Sequence, residues 1–394
     1  MRATGLVAAG MIMAVGAPPA LLPATAHAAG PLQVALAPKP TATKPKPTAT
    51  KPKPTASKPS ASASPAPRPS ASTPPAPPPA ACDPPRGRDA PVAEPWARRR
   101  LAFARAWRFT RGEGVTVAVV DSGADTAHPM LAGRVARTVD LTGTGGRDCA
   151  GHGTGVAALV GGRDLGDRGI PLSGAAPAAR LLVVKQQNAD RDEDGGDRLP
   201  AAIRAAADAG ARVVNVSIRA RPTPALERAV RYAQGRDAVI VAAAGNAPDR
   251  NGDDGPAYPA GYPGVISVAS LGADGGRAES SGLQTRVDVG APGRDLAVAW
   301  PGGGYDLQAQ GTSYAAAYVS GVAALVRSRH PRLGQEQVVR RILATADGNA
   351  GAGTGRGMVN PVQAVTAVLP GEAAPGPALA ARPPDAAAPA EPRP

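Results

Sequence analysis

The sequence predicts an α/β fold of three layers, with a mostly parallel central sheet and helices on both of its faces. Three observations predict it. Short apolar runs recur through the middle of the chain, at Val115–Val120, Leu181–Val184, Val213–Ile218, Ala238–Ala244 and Val265–Ala269. Ala-rich stretches of helical character, such as Ala201–Ala209 and Ala225–Ala233, lie between them, and buried strands that alternate with helices pair in parallel. Both patterns are confined to one large region from about Cys82 to Leu369, because the flanking composition does not support a core.

The N-terminus has the three parts of an export signal: Met1-Arg2, a mostly apolar run from Leu6 to Leu22, and the small-x-small triplet Ala26-His27-Ala28. Residues 1–28 are therefore expected to be cut off near Ala28, leaving a secreted or extracytoplasmic chain. An uncleaved membrane anchor is the competing account, and Pro18, Pro19 and Pro23 weigh against it. No later stretch has the roughly 20 apolar residues of a membrane helix, so no C-terminal transmembrane helix is expected.

Residues 29–81 read as a disordered Pro/Ala/Lys/Thr-rich spacer. From 31 to 81 there is neither an aromatic nor an acidic residue, too little apolar surface to offset the entropy of ordering. The heptapeptide Thr43–Ala49 is repeated at Thr50–Ala56 and favours extended polyproline conformations. Lys39, Lys44, Lys46, Lys51, Lys53, Lys58 and Arg68 supply seven of the thirteen net positive charges, while the folded region holds a single lysine, Lys185. A nucleic-acid groove is therefore not expected. The spacer's lysines suit an anionic cell wall, or simply keep a linker solvated.

Cys82 and Cys149 are the only cysteines. In an exported chain two readings stand. One is a single disulfide closing a loop of about 67 residues, for which loop entropy gives roughly 4 kcal/mol as an upper figure; the other is two thiols that never meet. The acidic run Asp190–Asp197 lacks full EF-hand spacing and reads as a surface loop. No metal and no cofactor is assigned. Residues 370–394 form a second disordered Pro/Ala-rich tail.

In a parallel sheet the active site lies beyond the carboxyl ends of the strands. The first apolar run ends in Asp121-Ser122-Gly123, which puts a carboxylate at that rim. Gly151-His152-Gly153-Thr154 opens an apolar helix with an imidazole between glycines, the pattern of a place where another group approaches closely. Ala242-Ala243-Ala244-Gly245-Asn246 leaves an amide after a strand, and Gly311-Thr312-Ser313 sets a hydroxyl at the start of a long Ala-rich helix. Together these are what acyl transfer at neutral pH needs. Ser313 attacks a carbonyl once a base takes its proton. His152 is that base and returns the proton to the leaving amine, and Asp121 fixes its tautomer. The Asn246 side chain and the Ser313 backbone N–H serve the oxyanion, where a side-chain donor contributes on the order of 3–4 kcal/mol to the transition state.

These residues resemble the subtilisin-like serine proteases, whose catalytic members occur in the order Asp, His, Ser. The resemblance spans about 260 residues, from Gly112 to about Val368, and includes His128-Pro129, Ala176-Pro177, Asn215-Val216-Ser217 and Ala291-Pro292-Gly293 beside the four motifs above. Within that family the chain is most similar to the mycosins, proteases associated with type VII secretion systems of actinobacteria. Asp148-Cys149 before the histidine motif, Tyr318-Val319-Ser320-Gly321 after the serine and the lack of a folded propeptide carry this. Mycosins tie an extended N-terminal segment to the catalytic domain by a disulfide, so the resemblance implies a Cys82–Cys149 pairing. It also implies that Ser217, Ile218 and Arg219 pair with the substrate backbone. Ala242, Ala243, Ala244, Gly245 and Tyr258-Pro259-Ala260 would form walls of the primary pocket. Three departures stand out. There is no membrane helix at the C-terminus, Ala317 replaces a usual proline in the serine helix, and Arg219-Ala220 stands where many subtilisins have Gly-Gly.

The sequence thus predicts a secreted serine-type endopeptidase of mycosin type acting on polypeptides, with type VII secretion components as partners. A general extracellular subtilisin, or a scaffold of a secretion complex with incidental proteolysis, are the rival readings. An occluding N-terminal segment is a further expectation, with Arg98-Arg99-Arg100 as an inviting processing point.

Overall fold

The computed structural model describes Cys82 and residues 86–89, 93–189, 195–247 and 255–372. The expected export signal, the spacer before Cys82, residues 190–194 of the acidic run and the tail beyond Glu372 lie outside the described residues.

Among the described residues nine strands form two sheets. They are β1 (Thr116–Asp121), β2 (Val135–Asp140), β3 (Arg180–Lys185), β4 (Val213–Val216), β5 (Val239–Ala243), β6 (Ile266–Leu271), β7 (Val289–Pro292), β8 (Leu296–Ala299) and β9 (Tyr305–Ala309). The first seven build one sheet in the order β2-β3-β1-β4-β5-β6-β7, and every pairing in it is parallel. β8 and β9 make an antiparallel hairpin. The helices are α1 (Trp96–Leu101), α2 (Phe103–Ala106), α3 (His152–Gly161), α4 (Gly195–Asp208), α5 (Pro224–Gly235), α6 (Thr312–Arg329), α7 (Gln335–Ala344) and α8 (Pro361–Thr366).

Successive strand side chains point to opposite faces of a sheet, and here both sets are apolar. Val117, Val119, Leu181, Val183, Val239 and Val241 enter the core beneath α3 and α6. Their neighbours Ala118, Val120, Leu182, Val184, Ile240 and Ala242 enter a second core beneath α4 and α5. A strand buried on both faces reads as an unbroken apolar run, which is why these segments stand out in the sequence. The result is the three-layer architecture the sequence predicts.

Local chemistry fixes the helix starts. Thr223 accepts from the Leu226 N–H at 3.1 Å ahead of Pro224, and Asn360 accepts from the Gln363 N–H at 2.9 Å ahead of Pro361. The N-terminal extension is tied down twice. Cys82 and Cys149 are joined by a disulfide, and Arg88 exchanges two backbone hydrogen bonds of 3.0 Å with Tyr305, which adds a bridge to β9. Arg98, Arg99 and Arg100 lie inside α1, with Arg98 on Asp164 and Arg100 on Asp347. They do not form the extended segment that a processing point needs. Among the described residues no helix is long and apolar enough to cross a membrane.

Candidate active site

β1 ends on Asp121, which is fully buried at the carboxyl rim of the sheet. Its Oδ1 lies 2.8 Å from His152 Nδ1 and accepts from the Ser122 N–H at 2.8 Å. His152 is the first residue of α3, and the glycines on either side of it are steric requirements. Gly151 has φ +85°, and a Cβ there would stand 2.3 Å from the Trp300 ring; a Cβ on Gly153 would stand 2.2 Å from the Gly123 carbonyl. α3 therefore begins against the loop that follows β1, and imidazole meets carboxylate.

Asp148 holds this corner together. Its Oδ1 accepts from Ser122 Oγ at 2.8 Å, Ala150 N at 3.1 Å and Gly151 N at 2.8 Å. Its Oδ2 accepts from Thr154 N at 2.7 Å and Thr154 Oγ1 at 2.6 Å. Ser122 Oγ in turn accepts from the Gly153 N–H at 3.0 Å. The Gly153 and Thr154 N–H groups in the first turn of α3 are thus satisfied by side chains. Lys185 is buried at the end of β3, where its ammonium donates to the Arg147 carbonyl at 2.7 Å. Burial pushes its pKa down, against the pull of Asp140 and Asp148.

Ser313 is the second residue of α6, and its ring neighbour Tyr314 stands 5.3 Å from the His152 imidazole, centroid to centroid. The starts of α3 and α6 thus meet over the end of β1. Ser313 Oγ donates to the Ser217 carbonyl at 3.3 Å, and Ser217 Oγ donates to the Ser313 carbonyl at 3.2 Å. Asn215 steadies the same junction, donating to Ser217 Oγ at 2.8 Å and accepting from Ser320 Oγ at 2.9 Å. Asn246 Oδ1 accepts from both the N–H and the Oγ1 of Thr312, each at 3.0 Å. That leaves Nδ2 as the donor end of the amide beside the serine turn, where Gly311 at φ +142° lets the backbone pass. α6 continues unbroken through Ala317.

The residues expected to meet substrate are also gathered here. Ala220 exchanges backbone hydrogen bonds of 2.9 and 3.2 Å with Tyr258, which brings the segment after β4 beside Tyr258-Pro259-Ala260. Arg219 is exposed and donates to the Gly255 carbonyl at 3.1 Å. Ile218 differs, because its side chain joins the core under α4 and α5. Ala243 and Ala244 are buried, and Gly245 turns at φ +96°. Asp148, Ser122, Thr312 and Asn215 carry roles that residue-by-residue reading misses. An acid just ahead of a glycine-flanked helix start was the available signal for Asp148.

A model of the subtilase family matches residues 112–363. The chain belongs to the subtilase family. That membership gives it a serine-protease function, and the three-layer parallel sheet is the architecture expected from the resemblance. Mycosin-3 of Mycobacterium tuberculosis (strain ATCC 25618 / H37Rv) is 37% identical to this subtilase over 348 residues, covering 73% of the chain and 74% of the relative. The crystal structure of MycP1 from Mycobacterium smegmatis superposes with a TM-score of 0.62 at 32% identity, over 71% of this chain and 86% of that one. The MycP3 protease from the type VII (ESX-3) secretion system gives 0.60 at 35% identity, over 70% and 89%.

Proposed function

We propose that the protein is an exported serine endopeptidase of mycosin type that cleaves polypeptides through Asp121, His152 and Ser313. The observation that carries the reading is the meeting of three elements at one rim. His152 Nδ1 lies 2.8 Å from Asp121, and the imidazole packs against Tyr314, the residue after Ser313. In this reaction Ser313 Oγ forms a bond to the peptide carbonyl carbon while its proton passes to His152 Nε2. Asp121 holds the Nδ1–H and stabilises the imidazolium. Asn246 Nδ2 and the Ser313 N–H take the oxyanion. The C–N bond breaks as His152 protonates the amine, and water, deprotonated by His152, then releases the acyl group. Ser217, Ile218 and Arg219 would hold the substrate main chain alongside, with Ala243, Ala244 and Gly245 lining the primary pocket.

The mycosin relatives, among them a protease from a type VII secretion system, support secretion components as partners. The export signal expected at residues 1–28 supports an extracytoplasmic location. Labelling with a fluorophosphonate probe tests the mechanism. The wild-type chain should label and hydrolyse peptides, and Ser313→Ala should lose labelling and about 10⁶-fold in kcat while keeping its melting temperature. Wild-type turnover by Ser313→Ala would sink the proposal.

A further inference from the structure

Four guanidinium groups converge at the amino-terminal end of the sheet, away from the site just described. A cavity of about 270 Å3 there is lined by Arg111, Arg134, Arg163 and Arg168 together with Asp164 and Asp167. Arg111 precedes β1, Arg134 precedes β2, and Arg163 to Arg168 follow α3. β1 runs six residues from this end to Asp121, so the cavity lies roughly 20 Å from the rim that carries Ser313, at about 3.3 Å per residue.

The cavity holds more positive charge than it neutralises. Asp164 is already claimed by Arg98, 3.1 Å away. Among the described residues none of the four cavity arginines forms an ion pair. Three of the four side chains are nevertheless held in place. Arg134 donates through Nε to the Gly161 carbonyl at 3.3 Å and through Nη2 to the Ala179 carbonyl. Arg163 Nε donates to the Ala132 carbonyl at 2.8 Å, and the Arg111 guanidinium lies 4.6 Å over the Trp107 ring. A guanidinium carries five donors, so most of them remain for a ligand. Burial, then the neighbouring Arg163 and Arg111 charges, push the Arg134 pKa below the usual arginine range. An anion in the cavity would remove that repulsion.

We propose that this cavity binds a phosphate group, as the free ion or as the terminal phosphate of a larger molecule. A phosphate monoester presents three oxygens and up to two charges to several forks at once, whereas a carboxylate satisfies one. Two negative charges also offset most of the excess that four arginines leave over Asp167 once Asp164 is paired with Arg98. The site is independent of the peptidase reading and stands whether or not Ser313 is the nucleophile.

Thermal unfolding of the full chain in inorganic phosphate, against chloride at equal ionic strength, tests it. The melting temperature should rise saturably, by about 3 °C when phosphate reaches ten times its dissociation constant. Arg163→Gln with Arg168→Gln should weaken that response at least tenfold while keeping the melting temperature in chloride and the hydrolysis of a peptide reporter. Should the double variant lose stability in chloride, Arg168→Gln alone, at an exposed residue, carries the same test. Sedimentation with phosphatidylcholine vesicles, with and without phosphatidic acid, separates the two sources. Binding to phosphatidic acid that depends on Arg163 and Arg168 assigns a lipid headgroup, and a phosphate response without it assigns a soluble phosphate. Equal melting temperatures in phosphate and chloride with no arginine-dependent vesicle binding, or a response unchanged in the variants, would overturn the proposal.

Discussion

Asp148 accepts five hydrogen bonds with two oxygens, and four of the donors belong to the loop and first turn that present His152. The fifth, Ser122 Oγ, belongs to the residue beside Asp121. Asp148 touches no reacting atom in the proposed mechanism, so its effect passes through the alignment of those two residues. Asp148→Ala strands buried donors, which cost about 1–3 kcal/mol each when unsatisfied. A stability loss of at least about 2 kcal/mol is expected, with kcat lowered more than KM. Asp148→Asn keeps one acceptor oxygen and should recover part of both. Denaturant unfolding and steady-state kinetics on the two variants check this, and an unchanged kcat in Asp148→Ala would refute a positioning role.

α6 is buried from Thr312 to Ser328, which a soluble domain tolerates only at its centre. Its packing on α3 depends on small residues. A Cβ on Gly321 would stand 2.4 Å from the Ala175 Cβ and 3.0 Å from the Val160 carbonyl. Gly321→Ala should therefore destabilise by about 1–3 kcal/mol despite its better helix propensity, because overpacking outweighs the gain of under about 1 kcal/mol. The two helices carry Ser313 and His152 at their starts, so peptidase activity should fall with stability. A melting temperature equal to or above that of the wild type would show that the helices can move apart without cost.

Across the whole molecule, two buried histidines tie distant segments together and make stability depend on pH. His128 accepts the Met130 N–H on Nδ1 at 3.1 Å, and its Nε2 faces the Gly304 carbonyl at 3.0 Å, so the neutral ring satisfies both. A second proton on Nδ1 would confront an N–H. His330 Nε2 faces the Val365 carbonyl at 2.9 Å and joins the end of α6 to α8. Burial lowers both pKa values from 6.5. Below pH 6.5 the unfolded chain therefore takes up protons that the folded chain refuses, and folding stability falls as pH drops from there towards the folded values. Asp140 and Asp237, both held below 3.8, add their losses only in stronger acid. Thermal unfolding of Ser313→Ala between pH 7 and pH 5 should show the decline, and adding His128→Gln should make it shallower. A flat profile would remove the histidines as its cause.

The sequence by itself determined the layers and pointed to the proposed chemistry. Strands buried on both faces must be apolar throughout, and a nucleophile, its base and an oxyanion donor must each follow a strand or open a helix, so Asp121, His152, Asn246 and Ser313, the residues of the proposed mechanism, could each be singled out from a local motif. The N-terminal helices, the β8–β9 hairpin and β7 were not, because short amphipathic or Gly-interrupted segments gain their form from what they pack against. Only the tertiary structure decided which groups meet. Asp148 meets Ser122 across 26 positions, Asn215 meets Ser320 across 105, and four arginines come to one cavity from three different strand and helix ends. No local pattern encodes such encounters, because the sheet order that creates them is a property of the packed chain.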